Sequence, residues 1–254
     1  MVTLDVQEPV IFGLSVLGTL RVTNRGATSV TISSRLNLME GDVRLTVFGP
    51  DTSPRELRGW QADTILRQAT LAPNEQLVGS MNLLQTEAGP VFPTPGRYQL
   101  QAEFSPSPRD APVTSPRIDV DVRSPQTDAE RGAAELLANE VVRQSIVLAQ
   151  SDAAPNEIAQ LAKKFPETLD GKLARLILAG TSDAANRTHF TSLDSSLLDV
   201  PLISALRTPF SRVGRQLAED FTRKIQTLNA KQGAQQANLD SALRIVEGKP
   251  MKAS

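Results

Sequence analysis

The 254 residues carry 27 Lys+Arg against 28 Asp+Glu, for a formal net charge of −1, with 40% hydrophobic and 22% charged residues. That is the balance of a soluble globular chain, and it offers no bulk field for nucleic acid or an anionic membrane. The absence of cysteine excludes disulfides, thiolate metal sites and cysteine nucleophiles together, and no run reaches the length needed to span a bilayer.

The length accommodates one large domain or two ordinary ones. Up to residue 123 the apolar residues recur with period 2. Val2, Leu4 and Val6 form the first run. Leu14, Val16, Leu20 and Val22 form the second, with Gly18 in phase. Val30, Ile32, Leu36 and Leu38 follow, then Val43, Leu45 and Val47. Leu77, Met81 and Leu83 continue, with Gly79 in phase. Tyr98, Leu100, Ala102 and Phe104 make the sixth, and Ile118, Val120 and Val122 the last. Such alternation predicts strands wet on one face and packed on the other. Turn signals separate them: "NRGAT" at 24–28, "MEGD" at 39–42, "GPDTSP" at 49–54, "APNE" at 72–75 and "TPG" at 94–96. Short strands at this spacing predict a two-sheet sandwich over 1–123.

"RSPQTD" ends the pattern, and 124–128 reads as a linker. A helical period then runs over 129–247. Ala133, Leu137, Val141 and Leu148 lie on one stripe, with Asp128 placed to cap its start. Ile158, Leu161, Ala162 and Phe165 share a face that Pro166 ends. Leu173, Leu176 and Ile177 follow, ending at Gly180. A weaker stretch spans Leu193 to Leu206. A long amphipathic helix carries Phe210, Val213, Leu217, Phe221, Ile225 and Leu228. "NAKQGAQQAN" reads as a loop or frayed helix before a short helix with Leu239, Leu243 and Val246. The tail 248–254 is expected to be disordered.

The first half resembles an immunoglobulin-like β-sandwich of the kind found in bacterial exported proteins. The residues that carry the likeness are "EPVIFGLSVLGTLRVTNRG", "TSVTI", "LAPNEQL", "FPTPGRYQLQAEF" and "SPRIDVDV". Asn74 stands where such turns place glycine, and Asn tolerates positive φ. The resemblance implies that Tyr98, the single tyrosine, is a tyrosine corner whose hydroxyl bonds to backbone a few residues upstream. Leu100 replaces the cysteine of antibody domains, and Trp60 lies too late to be their core tryptophan, so the antibody subfamily is excluded. The stretch "IAQLAKKFPETLDGKLARLILA" resembles one tetratricopeptide-type hairpin, with Ala174 at a close contact. One unit is fewer than a solenoid needs. An extracytoplasmic location is implied by the likeness. No leader is visible, and Met1 begins directly on a strand pattern, as in a trimmed chain.

Catalytic constellations are sparse. His189 is the single histidine, so a hydrolase would have to use it, with Asp194 and a neighbouring serine; no G-x-S-x-G elbow is present. Asp119, Asp121 and Asp5 are candidate oxygen ligands for Ca²⁺. Alternation instead turns both strand aspartates to water. "NRT" at 186–188 fits a glycosylation sequon. No glycine-rich phosphate loop occurs, and no cofactor is expected. From Arg207 to Ser254, nine Lys+Arg oppose four Asp+Glu, a net +5. Without interleaved aromatics, this stretch is not a nucleic-acid site. Trp60, flanked by Arg55 and Arg58, is either an exposed partner-binding anchor or a lid on the sandwich edge. The Pro-bearing loops 49–63 and 105–116 suit presentation. The expectation is a non-enzymatic module that binds another protein. The rivals are a protease inhibitor or peptide binder acting through those loops, and the His189 hydrolase.

Overall fold

The computed structural model describes residues 1–50, 53–62, 66–181, 200–206, 208 and 236–253. Two compact units result: 1–124 with 248–254, and 125–247. Antiparallel sheets build the first unit, and helices build the second.

One sheet of the first unit has the order β1 (Val2–Val6), β3 (Leu17–Thr23), β8 (Glu75–Asn82), β14 (Met251–Lys252). The other runs β2 (Val10–Ile11), β13 (Ile118–Arg123), β11 (Gly96–Phe104), β5 (Val43–Phe48), β6 (Arg55–Leu57), with β12 (Val113–Thr114) also on β11. All its pairs are antiparallel except β2 with β13. Two ribbons complete the unit: β4 (Val30–Ser33) with β7 (Gln68–Leu71), and β9 (Gln85–Thr86) with β10 (Gly89–Pro90).

Alternation sorts the side chains. Leu4, Leu20, Leu77 and Met81 from the first sheet share one buried cluster with Leu45, Leu57, Leu100, Phe104 and Val120 from the second. Their burial is the main favourable term for this unit, at about 25 cal/mol per Å² of apolar surface. Two expectations change. Val30 is 38% exposed, because it starts a two-stranded ribbon outside both sheets. Leu38 lies in a 3-10 turn, Leu38–Glu40, not a strand. Asn37 accepts there from the Met39 N–H, and Gly41 closes the turn at φ 85. The strands that the period missed span two to four residues, too short to show one.

Turn chemistry fixes the connections. Asn74 sits at φ 63. Its N–H donates to the Asn24 carbonyl at 2.8 Å, and the Asn24 N–H to the Glu75 carbonyl at 2.9 Å. The buried Asn24 amide donates to the Thr28 and Leu71 carbonyls, and its oxygen accepts from Gly26 N–H. One asparagine thus ties the turn after β3 to the end of β7. At the head of β11 the Tyr98 hydroxyl donates to the Thr94 carbonyl at 2.8 Å, and its ring meets Phe92 edge-on at 5.2 Å.

The tail departs from the expected disorder. Met251 pairs with Gln76, Lys252 with Glu75, and Ala253 N–H donates to the Asn74 carbonyl at 2.9 Å. Backbone bonding to a sheet edge orders this segment, and such bonding leaves no trace in hydropathy.

In the second unit the first predicted stripe is two helices, α1 (Asp128–Leu137) and α2 (Glu140–Leu148). Asn139 caps α2 and interrupts the period, so Val141 turns outward at 44% exposure while Val142 and Ile146 are buried. The N-cap of α1 is Thr127, not Asp128. Thr127 and Glu130 form a reciprocal capping box, which pulls Thr127 and Asp128 out of the expected linker. α3 (Pro155–Lys164) and α4 (Leu169–Thr181) bury Ile158, Leu161, Leu173, Leu176 and Ile177. A Cβ on Gly132 would lie 2.4 Å from the Phe165 ring, and one on Gly171 1.9 Å from the Phe165 carbonyl oxygen. The bend between α3 and α4 therefore requires glycine at 171. α5 (Val200–Leu206) and α6 (Gln236–Glu247) follow. The last helix starts inside the stretch read as loop or frayed helix. The long helix expected over Phe210–Leu228 lies outside the described residues.

Two substitutions probe these supports. Gly171→Ala should destabilise the protein by about 3 kcal/mol, since backbone cannot yield as a side chain would; a urea midpoint like wild type would contradict it. Tyr98→Phe should cost about 1 kcal/mol, read from the same transition.

Candidate functional site

The register of β5, β6 and β11 decides which loops meet. Val43 pairs with Phe104, and Leu45 with Leu57. The start of β5, the end of β11 and the exit of β6 therefore lie at one end of the sheet. Three segments converge there. Ser33 N–H donates to the Pro106 carbonyl at 2.7 Å, and Ser105 N–H to the Asp42 carbonyl at 2.8 Å. Ala62 N–H donates to the Met39 carbonyl at 3.0 Å. Segments 33–42, 58–62 and 105–116 form one loop end.

Charge pairing stiffens this end. Arg35 forks onto Asp42, with Nε–Oδ2 at 2.7 Å and Nη2–Oδ1 at 2.5 Å. Ser33 Oγ donates to the same carboxylate, and Arg67 donates to the buried Glu40. The hydrogen bond that Arg35 donates to Asp42 raises its guanidinium above its ordinary pKa; burial opposes this, and the Asp42 and Glu40 charges add to the rise. No motif marks these residues in the sequence. The visible signal was charge inside an apolar stretch, "SSRLNLMEGDV"; partners from separate segments have no fixed spacing.

The segment 105–116 is anchored at its base and exposed at its tip. Ser115 Oγ accepts from Ala102 N–H at 2.9 Å and donates to the Pro116 carbonyl. Ser107 Oγ donates to Asp110 and accepts from Arg109 N–H. Residues 108–114 are exposed. The exposed large apolar side chains of this unit, among the described residues, are Met1, Val30, Leu66 and Val113. Val113 opposes Phe104. Arg67, next to Leu66, takes Ser34 N–H on its carbonyl at 2.9 Å. Met1 exchanges backbone bonds with Thr23, and Val30 opposes Leu71, whose carbonyl holds Asn24. Val113 and Leu66 thus adjoin the loop end, while Met1 and Val30 lie beside Thr23 and Leu71.

The proposed anchor triplet is not brought together. Arg55 shares the inward side of β6 with the buried Leu57, and its Nη2 donates to the Val91 carbonyl at 2.7 Å. Arg58 points the other way, with Nε 2.7 Å from Glu56. Trp60 is half-buried, on a segment whose neighbours Gly59 and Gln61 lie against Leu38 and Met39. The structure thus gives no shared arginine patch.

The aspartates do not form a Ca²⁺ cluster either. Asp121 meets Arg97 at 3.3 Å, Asp119 accepts from Gln99 at 2.8 Å, and Asp5 pairs with Arg21 on the opposite sheet. Among the described residues no group of three metal-ligating side chains gathers, and no helix is long and apolar enough to cross a membrane. His189, Asp194 and the sequon at 186–188 lie outside the described residues.

The loop end carries its own test. Asp42→Ala removes the carboxylate onto which Arg35 and Ser33 donate and should lower stability by about 2 kcal/mol. Pairing it with Arg35→Met should recover part of that loss in a double-mutant cycle followed by urea denaturation.

No protein-family model matches the chain, and no curated protein matches it. Among solved structures it is similar to a beta-glucosidase from Listeria innocua in complex with gluconolactone, with TM-score 0.27 and 12% identity over 48% of this chain. The matched part is 16% of that enzyme's chain. It is also similar to the CARDB domain of a Pyrococcus furiosus protein, with TM-score 0.23 and 17% identity, covering 48% of this chain and 93% of that one. Both likenesses are too distant to bear on function.

Proposed function

We propose that the chain is a non-enzymatic interaction module whose first unit is an immunoglobulin-like β-sandwich that presents its loop end to another protein. The sandwich reading is supported by the order β1-β3-β8 in one sheet and β13-β11-β5 in the other, which matches the A-B-E and G-F-C order of such domains. The shared core and the Tyr98–Thr94 bond support it further. In the helical unit, α3 and α4 are read as one tetratricopeptide-type hairpin. One observation carries the functional reading. The exposed apolar side chains Leu66 and Val113 lie where the loops converge, beside the bonded Arg67 and Phe104, and apolar groups left wet beside a polar frame suit a protein partner.

A photo-crosslinking residue placed at Val113 or Leu66 should capture a protein from host extract, while the same residue at Gln101, on the outer sheet face, should not. Equal capture at all three positions, or none, would contradict the reading. A second reading, a loop that occupies a protease or peptide-binding cleft, is favoured by the exposed run 108–114 held between bonded Pro106 and Ser115. Slow, single cleavage within that run by one protease of a panel, with inhibition of that protease, would favour it over the first.

A further inference from the structure

The tail strand invites a question its side chains do not answer. Strand β14 rests on β8 by backbone pairing, Met251 with Gln76 and Lys252 with Glu75, extended by the Ala253 to Asn74 bond. None of residues 248–253 belongs to the buried core of the unit, and they are half-buried or exposed. A segment paired along a sheet edge, with little apolar burial, opens far more readily than the core strands.

The acceptor does not depend on the donor. On its other side β8 is paired with β3 from Leu17↔Asn82 through Thr23↔Gln76, and its inward Leu77 and Met81 are core residues. The edge at Glu75 and Gln76 therefore persists when the tail leaves. The donor is preshaped in turn. Gly248 sits at φ 66 just past the end of α6, where a left-handed glycine stops a helix. Pro250 biases Lys249 to extended backbone and offers no N–H, so regular pairing begins only at Met251. The register also sets Lys252 across from Glu75.

We propose that the edge of β8 is a strand-acceptor site, and that residues 248–253 of a second copy of this chain can occupy it in place of the chain's own. The second copy is the occupant because it carries the one sequence already seated on this edge. Every bond made within one chain can be remade between two, the condition for exchange of identical elements. The hinge is short, from Gly248 to Pro250.

The chain's lack of cysteine permits a direct test with tails intact. Gln76→Cys and Met251→Cys are made in separate full-length copies, mixed over a concentration series, oxidised, and resolved without reductant. Directly opposed strand residues are within disulfide reach. The expected result is a mixed dimer, joined 76 to 251 by peptide mapping, that exceeds either like-with-like dimer and grows with concentration. The double variant in one chain reports the register. If it closes its own disulfide as a monomer while the mixed copies give no dimer above the like-with-like background, the proposal is overturned. If the double variant does not close at all, the register itself fails and the proposal with it.

Discussion

The first unit hangs on the register of β11. This strand pairs with β5 on one side and β13 on the other. It sends Tyr98, Leu100, Ala102 and Phe104 into the core and Arg97, Gln99, Gln101 and Glu103 outward. A slip by one residue would exchange the two sets and bury four polar side chains, two of them charged. The Tyr98 hydroxyl ties the start of the strand to Thr94, four residues upstream. With that start fixed, the end at Phe104 is fixed too, and so is the point where the 105–116 segment leaves the sheet. The position of the loop end is thus inherited from core packing.

The loop end solves a different problem. Leu36 and Leu38 seat one of its segments in the core, but the others are mostly polar. Asp42 instead accepts from Arg35 and Ser33, while its backbone carbonyl takes Ser105 N–H. A half-buried carboxylate that gathers two side-chain donors, on a residue whose backbone holds a second segment, substitutes fixed dipoles for water and leaves few alternative arrangements. The outer face of the second sheet contrasts with it. There Arg44, Glu56, Glu103, Arg97 and Asp121 pair in exposed, loosely spaced contacts, which contribute little to stability.

How much was legible in the sequence depended on how local each determinant is. β1, β5, β8, β11 and β13 were readable because several alternating side chains fall on each. The φ > 0 turn at Asn74 and the hydrogen-bonding role of Tyr98 were readable because one residue and its near neighbours determine them. β2, β6, β7, β9, β10 and β12 were not, because two to four residues show no period. The split between α1 and α2 was missed for a subtler reason. Val141 fits the stripe set by Ala133 and Leu137, but Asn139 restarts the helix and shifts the face. The "TDAE" capping box is written in the sequence, but Asp128 beside it also suits a cap. At the loop end, Trp60 drew attention as the single tryptophan, while Arg35 and Asp42 have chemistry only in the folded chain.

The first unit is discontinuous in sequence: β13 ends at Arg123, and its last strand returns only at Met251. A ribosome makes everything up to β13, then all of 125–247, before β14 exists. At common rates of synthesis that interval is on the order of ten seconds. Throughout it the nascent sheet has β3 on one side of β8 and no tail to lay on the other at Glu75 and Gln76. The protein therefore passes through an obligatory stage with an incomplete sheet border, and the helices it makes meanwhile delay the arrival of the strand that finishes it.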